Sequence, residues 1–99
     1  MSASGTVLIS GANRGLGLGL ARELNRRGWR VFAGYRQAGA AAPMAAAAPG
    51  VEGVGLDVQD EASVREAIAE VRRRAGRLDV LVNNAGINPE PRDAVGLTY

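Results

Sequence analysis

The chain has 99 residues, of which 46% are hydrophobic and 22% charged, with a formal net charge of +2. That length makes one small domain able to bury roughly 65% of the surface its unfolded chain exposes, and the composition is ordinary for a soluble globule. There is no cysteine and no histidine, and all 12 basic side chains are arginines. A disulfide framework, a thiolate metal site and imidazole catalysis are therefore excluded within these residues, and no metal site is expected. No apolar run approaches the roughly 20 residues of a membrane span. Met1–Gly5 leads into the first apolar run without a basic leader region, so no membrane partner and a cytoplasmic location are expected.

The first element is a strand over Thr6–Ser10, built on the apolar run Thr6-Val7-Leu8-Ile9. Ser10-Gly11-Ala12-Asn13-Arg14-Gly15-Leu16-Gly17 follows it and opens a helix over Arg14–Arg27, with Leu16, Leu20 and Leu24 on one stripe and Gly28 ending it. A strand, a glycine-rich turn and a helix in that order form a phosphate cradle. Free N–H groups and the helix dipole favour an anion at the helix start, and glycines let it approach the backbone.

Arg30–Tyr35 reads as the second strand, and Gln37–Gly50 as an alanine-rich, low-complexity stretch with room for a short helix over Met44–Ala48. Val51–Leu56 is the third strand. Asp60 is placed to cap a helix over Glu61–Ala75, whose Val64, Ile68, Val71 and Ala75 form one stripe. Leu78–Val82 is the fourth strand. Beyond Gly86 the chain turns polar and proline-rich, giving an organisation of 1–87 as a folded unit and 88–99 as an irregular tail. Arg72, Arg73, Arg74 and Arg77 end a helix, where cations complement the dipole, and no aromatic residues are interleaved for base stacking. A nucleic-acid partner is not expected.

Strands alternating with helices predict an α/β fold with a parallel sheet and right-handed crossovers, in strand order 3-2-1-4. This is one half of a Rossmann-type doubly wound domain plus its switch-point strand. A ligand belongs outside the carboxyl ends of strands one and four. At the end of strand two, where an acidic side chain would hold a ribose 2′-hydroxyl, the chain has Tyr35 and then Arg36. A guanidinium pairs with a 2′-phosphate that a carboxylate would repel.

The spacing G-x-x-x-G-x-G, together with Asn83-Asn84-Ala85-Gly86 after strand four, resembles the short-chain dehydrogenase/reductase family. The wording is most similar to the carbonyl-reductase-like branch that includes C-factor and sniffer-type proteins. The resemblance implies an oxidoreductase that moves hydride between a nicotinamide dinucleotide and a carbonyl or alcohol. It implies that Gly11, Asn13, Arg14, Gly15, Leu16 and Gly17 hold the diphosphate region, and that Arg14 and Arg36 meet the 2′-phosphate, so that NADP (NADPH) is preferred over NAD. Asp57 and Val58 then meet the adenine, and Asn83, Ala85 and Gly86 the ribose side. Asp57 by itself is as readily a cap or turn residue.

The resemblance covers the amino-terminal half of the family's domain, whose chemistry rests on a serine and a Tyr-x-x-x-Lys pair further on. With no lysine present, Tyr35 and Tyr99 are not candidates for that tyrosine, and no catalytic residue is expected here. Three readings follow: the cofactor-binding portion of a reductase, a non-catalytic NADPH-reading regulatory module, or a truncated remnant. Strand four is expected as an exposed apolar edge, making the chain marginally stable and prone to self-association, or dependent on a missing half.

Overall fold

The computed structural model describes residues 5–12, 15–37, 39 and 41–84. Seven elements alternate along the chain: β1 (Thr6–Ile9), α1 (Gly15–Arg26), β2 (Arg30–Tyr35), α2 (Ala41–Ala47), β3 (Glu52–Gly55), α3 (Glu61–Ala75) and β4 (Val80–Val82). The four strands form one parallel sheet in the order β3-β2-β1-β4, a Rossmann-like arrangement as the alternating pattern predicts.

Alternation along each strand sorts the core into two layers. Val7 and Ile9 of β1, Val31 and Ala33 of β2 and Val82 of β4 meet α1 and α2 through Ala21 and Met44. Leu8 and Phe32 point the other way and pack with Val54, Leu56, Ala67 and Val71 beneath α3. Residues Thr6 through Ile9 are all buried, as expected of a strand covered on both faces. Leu81 of β4 is 42% exposed, and β4 pairs with β1 alone among the described strands. The expected apolar edge is therefore present in the described fold.

Both long helices stop where their sequences dictate. Gly28 adopts φ 98°; its N–H donates to Asn25 O and that of Trp29 to Leu24 O, the double bond of a Schellman ending. Asp60 caps α3 by accepting from Ala62 N and Ser63 N, and Gly76 ends it at φ 81° with its N–H on Arg72 O.

The departures from expectation have local causes. Helix α2 begins at Ala41, before Pro43, because a proline in the first turn lacks only an N–H that has no intrahelical partner. Strand β3 begins at Glu52 because Val51 donates its N–H to Ala48 O in a turn. β4 begins at Val80 because Asp79 serves as a clasp. Its N–H donates to Thr6 O at 2.9 Å, its carboxylate accepts from Thr6 N at 2.8 Å, and Arg77 pairs with it at 2.6 Å. The arginines at the end of α3 are largely committed to carboxylates: Arg73 to Glu70, Arg74 to Glu52 and Glu70, and Arg77 to Asp79.

Candidate functional site

Parallel pairing places the carboxyl ends of all four strands on one rim, and the turn after β1 sits at its centre between β2 and β4. Gly11 takes φ 62°, and so does Gly15, the first residue of α1. These left-handed values are costly for any residue with a Cβ, and they turn the chain sharply from strand into helix. A Cβ added at Gly15 would meet nothing within 4 Å. Among the described residues the space beside the first residue of α1 is therefore open, and the first N–H groups of a helix have no intrahelical acceptors.

Gly17 is glycine for a different reason. A Cβ there would lie 2.5 Å from Asn84 Nδ2, 2.7 Å from Gly11 O and 3.1 Å from Ala12 Cα. The first turn of α1 thus presses directly on the glycine turn and on the end of β4. Leu16, between the two glycines, is 71% exposed.

Ser10, 1% exposed, joins the two halves of the rim. Its hydroxyl accepts from Asn84 N at 2.8 Å, and Val82 O at 3.3 Å and Asn83 Oδ1 at 3.4 Å are the acceptors for its proton. Ser10 N donates to Val82 O at 3.0 Å. Asn84 reaches back, with Nδ2 donating to Gly11 O at 3.1 Å. Ala12 N donates to Gly34 O at 3.1 Å, which ties the turn to β2 as well. The two motifs, more than seventy residues apart, form one hydrogen-bonded unit.

The remaining positions flank this unit. Arg36 follows β2 in a bend, exposed, and makes no ion pair among the described residues. Asp57 follows β3 and is half-buried; its Oδ1 accepts from Gln59 N at 3.0 Å, its N–H donates to Ser63 Oγ at 2.9 Å, and its carbonyl accepts from Asp60 N. The turn role of Asp57 is therefore real, and it fixes the carboxylate at the rim. Val58 packs its side chain against the α3-side core. Asn83 is exposed beside Ser10. The expected site residues Asn13, Arg14, Ala85 and Gly86 lie outside the described residues. Ser10 and Asn84 are the members that residue-by-residue reading left off the site. Their signal lay in the quoted motifs, and their function as the tie between them needs the register of β1 with β4.

A family model described as short chain dehydrogenase matches residues 5–96. A 3-oxoacyl-[acyl-carrier-protein] reductase, MabA, of Mycobacterium avium is 38% identical over 87 residues, covering 88% of this chain and 31% of that protein. Serine 3-dehydrogenase of Agrobacterium fabrum is 36% identical, covering 85% and 34%. Among solved structures, a variant of actinorhodin polyketide ketoreductase with NADPH superposes at a TM-score of 0.74 and 36% identity, over 84% of this chain and 33% of that one. The chain spans about a third of the length of the curated relatives it matches.

Proposed function

This chain belongs to the short-chain dehydrogenase family, and we propose that it forms the part of an oxidoreductase that binds NADP(H), in a protein that transfers hydride between that cofactor and a carbonyl or alcohol. The observation that carries the reading is the interlock of Ser10, Gly11, Gly17 and Asn84 at the carboxyl ends of β1 and β4. It holds the amino terminus of α1 at the switch point, where a doubly wound sheet takes its nucleotide.

The described residues fit a dinucleotide. Gly11 and Gly15 hold left-handed φ values where the strand passes into the helix, and a Cβ added at Gly15 meets nothing within 4 Å among the described residues, which suits a diphosphate. Asp57 and the backbone of Val58 stand after β3 for the adenine, and Arg36 stands after β2 for a 2′-phosphate. Arg14, Asn13 and Leu16 belong to the diphosphate side of this reading, and Asn83, Ala85 and Gly86 to the ribose side. When bound, the nicotinamide ring supplies the hydride chemistry. These residues bind and orient it, and the reading gives none of them the proton-transfer step.

Calorimetric titration of the chain with NADPH and NADH tests both levels. Saturable binding that favours NADPH is expected. Arg36→Ala is expected to weaken NADPH by roughly tenfold or more, the scale of losing a charge-assisted pair, while leaving NADH unchanged. Equal loss for both nucleotides would remove the 2′-phosphate assignment, and no binding by a folded chain would remove the dinucleotide reading.

A further inference from the structure

Strand β3 bounds the sheet on the side opposite β4, and the Arg74 side chain reaches its outer edge. In a parallel pair, alternate residues direct N–H and C=O toward the same neighbour. Leu56 N donates to Tyr35 O at 2.8 Å, so Val54 and Glu52 also turn their backbone groups to β2, while Gly53 and Gly55 turn theirs outward. Such groups on an edge are a template for another strand. Here they border a polar trough of ≈330 Å³ between β3 and α3, lined by Tyr35, Glu66, Glu70 and Arg74.

Arg74 enters that trough from α3. Its Nη1 donates to Gly53 O at 3.2 Å, and its Nη2 donates to Glu52 Oε1 at 3.3 Å. Glu70 Oε2 lies 3.6 Å from Nη1, and the guanidinium sits 5.0 Å from the centre of the Phe32 ring. We infer that Arg74 closes the outer edge of β3 against strand addition by a second copy of this chain. The carbonyl it takes is the one an incoming strand needs at Gly53. Two β3 edges meeting antiparallel about a twofold would satisfy each other's Gly53 and Gly55 groups reciprocally, and this self-complementarity makes a second copy the partner to be excluded. The fork of Arg74 is held by carboxylates and a ring on its own subunit, so opening the edge breaks several contacts at once.

Sedimentation velocity over a concentration series tests this. Arg74→Met keeps the aliphatic stem on Phe32 and removes the donors. It is expected to bring self-association to roughly tenfold lower protein concentration than wild type, on the scale of one charge-assisted hydrogen bond. Adding Gly55→Pro should reverse the shift. The Gly55 N–H points away from β2, a Cβ there meets nothing within 4 Å, and proline removes the outward donor. Arg74→Lys, which keeps the cation but loses the planar fork that reaches Gly53 O and Glu52 Oε1 from separate nitrogens, is expected to give a smaller shift in the same direction, and it decides the matter if circular dichroism shows R74M unfolded. A purely structural Arg74 would lower thermal stability without association that G55P reverses. Variants that sediment as wild type, or that associate equally with and without G55P, would overturn the inference.

Discussion

Two glycines two residues apart, Gly15 and Gly17, are required by different physics, and substitution separates them. At Gly15 an alanine has room but must hold φ 62°, at a cost of about 1 kcal/mol. At Gly17 an alanine must displace Asn84 Nδ2 and the backbone carbonyl of Gly11, 2.5 and 2.7 Å from its Cβ. The carbonyl cannot yield without moving the turn, so Gly17→Ala is expected to cost about 2 kcal/mol or more. It should also abolish dinucleotide binding, whereas Gly15→Ala keeps measurable affinity. Chemical denaturation with titration of each variant checks the pair; equal losses at the two positions would show that the close approach at Gly17 does not matter. The glycine spacing made both positions legible. The difference between them was not, because it rests on Asn84, brought to Gly17 only by the parallel pairing of β1 with β4. Asp57 shows the same limit: its place after β3 could be read from the chain, but not the Gln59 and Ser63 partners that fix it.

At the scale of elements, local signals decided which boundaries could be read. Strand β2 and helix α3 have the ranges expected from sequence. β2 is set by Gly28 before it and a bend after it, and α3 by an aspartate cap and a left-handed glycine. Asp60→Ala therefore has a specific expected effect: loss of the bonds from Ala62 N and Ser63 N should cost about 1 kcal/mol. Asp60→Asn, whose side-chain oxygen still accepts, should recover most of it. Urea midpoints of the two variants make the comparison, and an asparagine as damaging as alanine would mean that charge rather than the acceptor matters. Leu78-Asp79 has the composition of a strand start, and the pattern predicts β4 two residues longer than it is. What removes them is Thr6, whose N–H and C=O both turn to Asp79, a contact between residues 73 apart that no local pattern encodes.

The whole molecule has an unusual titration profile. It contains no histidine, cysteine or lysine, so side chains that elsewhere titrate between about pH 6 and 9 are missing. Among the described residues, the carboxylates that shift do so in one direction. Glu23 is lowered to about 2 by hydrogen bonds from Arg26 and Arg27. Arg30 holds Glu52 below its ordinary value, with Arg74 adding to it. Arg77 and then the Thr6 N–H do the same for Asp79. A carboxylate with a folded-state pKa below its unfolded one binds fewer protons when folded. Its contribution is complete above the unfolded value and is lost as pH falls through the folded one. Stability should therefore be level from about pH 6 to 9 and decline below about pH 5. Of the three, Glu23 lies among solvent-exposed arginines and is screened most. Glu52 is the best placed to set the slope, since it joins β3 to Arg30 on β2 and Arg74 on α3. Glu52→Gln is accordingly expected to lower the urea midpoint at pH 7 and to make the fall between pH 5 and 2.5 shallower, so that the two proteins converge in acid. Parallel curves for wild type and E52Q would place the acid sensitivity in other carboxylates, and a wild-type decline between pH 8 and 6 would contradict the level region itself.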